Sequence, residues 1–409
     1  MKKTIALLIT LDTKSQEAGY LKEQIEARGC NVLIMDIGVV GKPGIQADVS
    51  REEIASAGGT SLRKLLEKPT REEAGPVMVK GSIDLLTERI KSDQVHAILG
   101  LGGTQGTSSC CDIMQEIPYG FPKIMVSTIA SGDTSPFVGI KDITMMFSVS
   151  DILKLNPFTR KILSNAAGAA CGMAETETIF DIQKSEKPLI GMTNLGVLTQ
   201  GTMHALKCFE EAGYEVIVFH AVGSGGRAME QMMKEGIIGA VFDYAMGEIA
   251  DDVWSVLRAG GPERLTIAGK LGLPQVLCPG GAEHLGILVP HNEVPDKYKN
   301  HKYVFHSPVV FVPRLNKEEI EKVAVEICRR LQHTKNKAYF MIPTKGVGRY
   351  STPGKILYDP VSDAAFFARL KQGLPSNIEV IEKDTHAEDP AFVKEAVDRL
   401  ISLIQENQS

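Results

Sequence analysis

The segment Val95–Ser108 reads VHAILGLGGTQGTS and joins a short apolar run to a loop rich in glycine and hydroxyl residues. We expect a buried strand over Val95–Leu99 and a helix over Gly106–Glu116, with the glycine loop between them. The same order, an apolar run followed by a helical pattern, recurs along almost the whole chain. Such alternation predicts an α/β fold with mostly parallel sheets and with helices on both faces of each sheet.

The alternation stops once, at the polar segment Glu175–Lys187, and begins again after Pro188. A chain of 409 residues also exceeds the length that a single core usually serves. We therefore predict two Rossmann-like domains, each with three α/β/α layers, over residues 1–180 and 188–409. In the first domain the further predicted strands are Ile5–Thr10, Asn31–Asp36 and Lys123–Ser127, and the further helices are Ser15–Arg28, Pro76–Ser92 and Pro157–Met173.

The second predicted domain repeats the pattern with more elements. Its predicted strands are Leu189–Thr193, Glu215–His220, Gly239–Asp243, Gln275–Cys278, Val309–Val312, Lys337–Ile342 and Ile378–Ile381. Its predicted helices are Gly201–Ala212, Arg227–Glu235, Pro262–Leu271, Lys317–Gln332, Asp363–Gln372 and Pro390–Gln405.

The composition is that of a folded, soluble protein, with 43% hydrophobic and 23% charged residues. A net charge of -5 argues against a protein that binds nucleic acid through bulk positive charge. The seven cysteines form no CxxC pair, which disfavours a disulfide framework or a structural zinc site and indicates a reducing cytoplasm. No stretch approaches the ~20 apolar residues that cross a bilayer, so we expect no membrane association.

In open parallel sheets, ligands bind beyond the carboxyl ends of the strands. The loop after the strand Val95–Leu99 is therefore the first candidate for a site. Its backbone N–H groups and the positive end of the following helix suit an anion such as phosphate. It matches neither G-x-G-x-x-G nor a Walker A motif, and a tight turn needed only for packing is the alternative. The predicted phosphate-binding residues are Gly102, Gly103, Thr104, Gly106 and Thr107.

Two other predicted strand ends in the first half carry polar residues. Asp12, Thr13 and Lys14 follow the first strand, and the run 128–133 (TIASGD) follows the strand Lys123–Ser127. Mg²⁺ prefers one or two carboxylates together with phosphate oxygens, so the carboxylates in these two loops are candidate metal ligands, Asp133 above all. The alternative is that each carboxylate only caps a helix or a turn. The candidate nucleotide-binding residues of these two loops are Asp12, Thr13, Lys14, Thr128, Ser131, Gly132 and Asp133.

The second half has its own glycine-rich loop between a strand and a helix. Gly223, Gly225 and Gly226, together with Arg227, form a predicted second anion site. Titratable residues near other strand ends could act on a small acidic or carbonyl metabolite, which we expect in a cleft between the domains. The candidate catalytic residues are His220, Arg227, Glu248 and Lys345.

A nicotinamide-dependent oxidoreductase is a weaker alternative. Asp36, at the end of the second predicted strand, stands where a ribose-binding acid would lie. The turn after the first strand, Leu11–Ser15, contains no glycine, however, and a dinucleotide pyrophosphate could not approach its backbone as that fold requires.

The motifs together resemble one family, the UPF0261 proteins, also called Tm-1-like ATP-binding proteins. The resemblance covers nearly the whole chain and rests on the order and spacing of several segments. These are Asp12–Lys14, Leu99–Thr107, Met125–Asp133, Phe147–Asp151, Asn165–Ala169, Val218–Glu230 and Ala259–Leu265. The resemblance implies two Rossmann-like domains, ATP bound by the N-terminal one, and a homodimer or a higher homo-oligomer.

Two functional hypotheses follow. In the first, the chain is a metabolic enzyme that depends on ATP or is regulated by it, with Mg²⁺ as a further cofactor. In the second, it is a nucleotide-binding sensor or interaction protein without turnover, as the absence of a Walker A motif and of a catalytic triad suggests.

Overall fold

The computed structural model describes residues 2–176 and 187–408. The chain forms two compact units, Met1–Phe180 and Asp181–Ser409. Most of the predicted boundary segment, residues 177–186, lies outside the described residues. Both units are α/β, and their two large sheets are parallel throughout the paired strands, which confirms the predicted fold class.

The N-terminal unit contains a five-stranded parallel sheet in the order β2-β1-β3-β4-β5. Its strands are β1 (Thr4–Ile9), β2 (Asn31–Asp36), β3 (Ala97–Gly102), β4 (Lys123–Ser127) and β5 (Thr144–Phe147). The chain moves to one side of β1 to form β2 and then to the other side to form β3. This is the flavodoxin-like strand order, and it places a crevice between the carboxyl ends of β1 and β3.

Helices cover both faces of this sheet because successive side chains of a buried strand point to opposite faces. Ile5, Leu7 and Ile9 pack toward α1 and α7, whereas Ala6 and Leu8 pack toward the helices of the other face. The first face carries α1 (Ser15–Glu26) and α7 (Pro157–Glu175), and the second carries α2 (Arg51–Ala57), α3 (Leu62–Glu67), α4 (Arg71–Lys91), α5 (Thr104–Gln115) and α6 (Ser135–Val138).

Helix α4 differs from its prediction, which began at Pro76. The helix begins a turn and a half earlier, at Arg71, because the Thr70 side chain accepts a hydrogen bond from the amide of Glu73 and caps the terminus. Pro76 lies inside the helix. The prediction also omitted α3, α6 and β5, which are too short to show a clear period.

The C-terminal unit contains a six-stranded parallel sheet in the order β14-β13-β9-β8-β6-β7. Its strands are β6 (Ile190–Asn194), β7 (Val216–His220), β8 (Ala240–Ala245), β9 (Gln275–Gly280), β13 (Ala338–Pro343) and β14 (Ile378–Lys383). The order reverses at β6, which places the corresponding crevice between β6 and β8. A separate antiparallel sheet, β10-β12-β11, comprises β10 (Ile287–Leu288), β11 (Tyr303–Ser307) and β12 (Val310–Pro313).

Two apolar cores lie on opposite faces of the six-stranded sheet. Tyr339 and Met341 of β13 face one core, and Phe340 and Ile342 face the other. The first core contains α8 (Thr199–Glu211) and α14 (Pro390–Gln408); the second contains α10 (Gly247–Val253), α12 (Lys317–Leu331) and α13 (Pro360–Gly373). The remaining helices of the unit are α9 (Ser224–Lys234) and α11 (Ile267–Leu271). Over the described ranges, no helix has the length and apolar character needed to cross a membrane.

The predicted helix Pro262–Leu271 was wrong in its first half. Only Ile267–Leu271 is helical, as α11. Gly261 and Leu265 have positive φ angles of 76° and 70°, which a continuous right-handed helix does not allow. The intervening turn directs Arg264 into the interior of the unit, where it is fully buried.

Candidate functional site

The amino terminus of α5 lies beside the crevice between β1 and β3. The residue before the helix is Gly103, which has no side chain to cap it, and no other described side chain accepts from the amides of residues 104–106. Helices α2, α4 and α7, in contrast, are capped by Ser50, Thr70 and Asn156. The terminus of α5 therefore presents free N–H groups and the positive end of the helix dipole at the ligand-binding edge of the sheet.

Gly102 and Gly103 differ in what a side chain at each position would contact. A Cβ atom on Gly102 would lie 2.6 Å from the Cα of Gly106, so Gly102 is required for the close packing of the turn. A Cβ atom on Gly103 would meet only the Thr128 hydroxyl, at 3.7 Å, which is an ordinary contact. Packing therefore explains Gly102 but leaves Gly103 unexplained, and the space above Gly103 is open.

Thr107 points into the unit. It is fully buried, and its hydroxyl lies 2.7 Å from the Ser127 hydroxyl, which in turn accepts a hydrogen bond from the amide of Ile129. These bonds tie the loop after β3 to the loop after β4. Thr107 thus positions the two loops, while Thr104 is exposed and Thr128 is half-buried at the edge of the sheet.

The loop after β4 presents Ser131, Gly132 and Asp133 on the surface. One Asp133 oxygen accepts a hydrogen bond of 3.0 Å from the Ser135 amide. The Ser135 side chain and amide hold the pKa of Asp133 below its usual range, so this carboxyl is ionised at neutral pH. The described residues contain no group of three or more His, Cys, Asp or Glu side chains placed to hold a metal. A single carboxylate here fits Mg²⁺ that takes its other oxygen ligands from phosphate and water.

The loop after β1 is covered by the glycine-rich loop 38–44. A Cβ atom on Gly41, whose φ is 72°, would lie 2.7 Å from the Cβ of Asp12. Gly44 donates its amide to the Leu11 carbonyl at 3.1 Å and to the Ser15 hydroxyl at 2.9 Å. Asp12 and Lys14 are consequently half-buried under this loop, while Thr13 is exposed.

Asp36 has a structural role. It is buried and accepts from the Arg51 guanidinium at 2.9 and 2.7 Å through one oxygen, and from the amides of Leu11 and Gly38 through the other. Because both oxygens are engaged, Asp36 is not available for a ribose, which removes the residue on which the nicotinamide alternative depended. Arg51 also donates to the carbonyls of residues 39–41 and so fixes the loop 38–44.

A cleft of about 1040 Å³ begins at the carboxyl ends of the strands in the N-terminal sheet and continues between α4 and α5. Four predicted nucleotide-binding residues line it: Asp12, Thr13, Thr104 and Gly106. The others do not: Lys14, Gly102, Gly103, Thr107, Thr128, Ser131, Gly132 and Asp133. Sequence reasoning missed the contribution of α4, whose first turn and a half was not predicted, and that of Asp112 on the outer face of α5.

The corresponding helix terminus in the C-terminal unit is occupied by the protein itself. One oxygen of the fully buried Glu248 accepts hydrogen bonds from the backbone amides of Gly223, at 2.6 Å, and Gly226, at 3.0 Å, at the start of α9. A Cβ atom on Gly226 would lie 2.0 Å from the other Glu248 oxygen, which explains the glycine. A ligand anion at the predicted second site would have to displace this carboxylate.

Glu248 belongs to a buried network centred on Arg264. The Arg264 guanidinium contacts Glu248 at 2.7 Å, Asp243 at 2.7 Å and Glu230 at 3.4 Å. Burial raises the pKa of Glu230 to about 7, although Arg264 and two backbone amides oppose the shift. Three carboxylates around one guanidinium leave an excess of negative charge in the interior. In the sequence, Arg264 was noted only as part of the segment Ala259–Leu265 and was given no role, because nothing in its local pattern distinguishes it from an exposed arginine.

The remaining candidate catalytic residues are near the surface. His220 is exposed at the end of the edge strand β7, and the Arg227 side chain donates to the Gly223 carbonyl at 3.3 Å. Lys345 follows β13 and forms an exposed ion pair with Asp384 at 2.7 Å. Four strand spacings of about 4.8 Å separate β13 from β7, or about 19 Å. The structure therefore brings His220, Arg227 and Glu248 near one another but not Lys345.

The two open parallel sheets, each with a reversal of strand order, place the protein in the class of doubly wound α/β proteins. Two family models match the chain: the N-terminal domain of the uncharacterised protein family UPF0261 over residues 3–178, and the C-terminal domain of the same family over residues 187–404. The chain belongs to the UPF0261 family, which confirms the resemblance noted in the sequence.

Relatives are found in bacteria and in a plant. A UPF0261 protein of Clostridium tetani is 38% identical over 406 residues, which cover 99% of this chain and 100% of that protein. The ToMV susceptible protein tm-1(GCR26) of Solanum lycopersicum is 28% identical over 415 residues, which cover 96% of this chain and 55% of the plant protein. A solved structure, of a putative UDP-N-acetylglucosamine 2-epimerase from Listeria monocytogenes, is 11% identical with a TM-score of 0.21, and the match covers 68% of this chain and 79% of that one.

Proposed function

We propose that the N-terminal unit binds ATP and that the amino terminus of α5 holds its phosphates. The observation that carries this proposal is the uncapped terminus after Gly103, which opens onto unfilled space at the reversal point of the sheet. Free amides and a helix dipole at such a point suit a phosphate group. The occupied terminus of α9 supports the choice of the N-terminal unit, because Glu248 already supplies an anion there.

The surrounding loops supply the other contacts of the proposed site. Hydroxyl groups of Thr104, Thr128 and Ser131 donate to phosphate oxygens, and Gly132 leaves room for them. Lys14 contributes positive charge. Asp133, and Asp12 after it, are the proposed Mg²⁺ ligands, because a hard cation prefers carboxylate and phosphate oxygens. When bound, the cation would neutralise phosphate charge.

We further propose that the protein is a metabolic enzyme that uses the bound ATP. His220 and Arg227 would then contact a small acidic or carbonyl metabolite, His220 as an acid–base group and Arg227 as an anion partner. A nucleotide-binding sensor without turnover is a second candidate. It is favoured by the burial of Glu248 and by the distance of Lys345 from the other candidate catalytic residues. A cytoplasmic location and a homodimer remain parts of the proposal.

Calorimetric titration with ATP and Mg²⁺ tests the binding site. We expect Gly103→Val to abolish measurable binding while the unit stays folded, because its Cβ atom would make only an ordinary contact of 3.7 Å with the Thr128 hydroxyl and its side chain would enter the space of the phosphate. Gly172→Ala is the matched control: it adds a Cβ atom at an exposed position of α7 with nothing within 4 Å. Equal affinity of wild type and Gly103→Val would reject the site.

Turnover is tested separately, by phosphate release with ATP, Mg²⁺ and a library of small acidic and carbonyl metabolites. Release that one metabolite stimulates, and that Arg227→Ala impairs without changing ATP affinity, supports the enzyme. Binding of ATP without release under every condition supports the sensor.

A further inference from the structure

A group of four buried polar side chains lies at the carboxyl edge of the six-stranded sheet. Glu283 and His284 follow β9, Arg314 follows β12, and Asp363 lies in the first turn of α13. All four are buried, with at most 2% of their surface exposed. We call these residues the Glu283 cluster. They lie at the edge of the sheet where ligands of open parallel sheets bind.

The Glu283 cluster contains five buried polar atoms that have no hydrogen-bond partner among the described residues. These are both Glu283 carboxylate oxygens, His284 Nδ1, Arg314 Nε and Asp363 Oδ2. The His284 Nδ1 atom lies 3.3 Å from Glu283 Oε1 but without the alignment of a hydrogen bond. Because an unpartnered buried polar group costs free energy, five such atoms in one place indicate a partner from outside the chain.

Hydrogen bonds to the other atoms of the cluster define its charge state. Arg314 pairs with Asp363 at 2.6 Å, and Arg258 pairs with Asp251 at 2.8 Å. The Arg258 guanidinium also lies 3.4 Å from His284 Nε2. A guanidinium can only donate, so we assign Nε2 as the acceptor and place the ring proton on Nδ1. His284 is then neutral, and the two ion pairs balance each other.

Glu283 therefore carries a negative charge that the cluster does not balance. Burial alone would raise the pKa of the Glu283 carboxyl, but the neighbouring His284 and Arg314 outweigh burial and lower the pKa to about 2. Glu283 is consequently ionised at neutral pH. Since both of its oxygens lack donors, the missing partner is one that donates hydrogen bonds and carries a positive charge.

The loop after β13 covers Glu283. A Cβ atom on Gly348 would lie 3.0 Å from Glu283 Oε1. Val347 and Arg349 of this loop form backbone hydrogen bonds of 3.1 and 3.0 Å with the loops after β9 and β6. Residues 344–359 belong to no helix or strand. Movement of this loop would uncover Glu283 without breaking an element of the fold.

We propose that the Glu283 cluster is a binding site for a small hydroxylated amine. The ammonium group of the ligand donates to the Glu283 oxygens and supplies the missing positive charge. A hydroxyl group accepts from Arg314 Nε and donates to Asp363 Oδ2, because a hydroxyl is both donor and acceptor. The site lies within the C-terminal unit and requires neither ATP nor the candidate residues His220 and Arg227.

Calorimetry on the full chain tests this site with matched sets of ligands at millimolar concentration. The amines are ethanolamine, serinol and glucosamine; their neutral counterparts are ethylene glycol, glycerol and glucose; the corresponding acids are glycolate, glycerate and gluconate. We expect at least one amine to bind and its neutral counterpart to bind at least about tenfold more weakly, because the counterpart lacks the charged donor. The acids should not bind, since they add a second negative charge beside Glu283.

Substitutions then place the bound amine. Glu283→Gln keeps the size of the side chain but removes its charge, and it should weaken binding of that amine at least about tenfold. Glu379→Gln is the control: it makes the same change at an exposed position near the start of β14, at the opposite edge of the sheet, and should leave the affinity unchanged.

Three results would overturn the site. These are binding of no amine, which would leave the five atoms to ordered water, equal binding of an amine and its neutral counterpart, and unchanged affinity in a folded Glu283→Gln variant. If Glu283→Gln does not fold, the comparison of amines, neutral counterparts and acids on the wild type decides.

Discussion

The buried network around Arg264 makes the strongest prediction about stability. Arg264→Met keeps much of the side-chain bulk but removes the one cation that three carboxylates share. Arg264 and Glu248 are 0% exposed, Asp243 is 2% exposed and Glu230 is 3% exposed, so water cannot replace the lost interactions. Removal of one partner from a buried ion pair costs roughly 3–5 kcal/mol, and we expect a loss of this size at pH 8.

Denaturant unfolding followed by tryptophan fluorescence measures this loss. Trp254 is the single tryptophan of the chain and packs against a core of the C-terminal unit, so its emission reports on that unit. The loss should be smaller at pH 5, because Glu230, with a pKa of about 7, is then protonated. Arg329→Met is the control: Arg329 pairs with Glu326 on the surface, where such a pair contributes about 0–1 kcal/mol. A loss below about 1 kcal/mol for Arg264→Met would refute the reasoning.

Three further predictions concern other buried contacts. Arg51→Met should destabilise the N-terminal unit by roughly 3–5 kcal/mol. It should also speed the hydrogen exchange of the Gly38 amide, which donates a hydrogen bond to Asp36. Unchanged exchange would contradict the role of Arg51 in fixing the loop 38–44. The Glu230 carboxyl has a higher pKa in the folded state than in the unfolded state, so its contribution to stability is complete below pH 4.5 and is lost as the pH rises to about 7. The stability of the wild type relative to Glu230→Gln should therefore fall over that range, and parallel pH profiles would count against it. Gly226→Ala should destabilise the C-terminal unit, because its Cβ atom would lie 2.0 Å from a Glu248 oxygen; a urea midpoint equal to that of the wild type would show that Glu248 can move aside.

The parallel strands and the helices that follow them could be predicted because each produces a recognisable pattern of apolar residues in a short stretch of sequence. Buried parallel strands such as β1 and β3 are continuous apolar runs, and each is followed by a helical period. The antiparallel sheet β10-β12-β11 has no such signal, since β10 is two residues long and is defined by its partner. The turn before α11 was missed for a related reason: tertiary contacts of Arg264 hold the backbone there.

The candidate site was predictable only in part. The glycine loop at Gly102–Thr107 and its place at a strand end follow from the sequence. The different roles of the residues in this loop do not follow from the sequence. Only the structure shows that Gly102 and Thr107 contact neighbouring backbone and side chains, whereas Gly103 faces open space. Similarly, the sequence suggests Glu248 as a catalytic candidate. Only the structure shows that Glu248 is buried and paired with Arg264.

The position of the phosphates of bound ATP tests the central claim most directly. A crystal structure of the protein grown with a non-hydrolysable ATP analogue and Mg²⁺ would show it. We predict phosphate oxygens within about 2.7–3.2 Å of the backbone nitrogens of Thr104 and Gln105, with Glu248 still bound to the amides at the start of α9. Phosphate density at α9 with Glu248 displaced, or an empty α5 terminus at saturating ligand, would contradict the account.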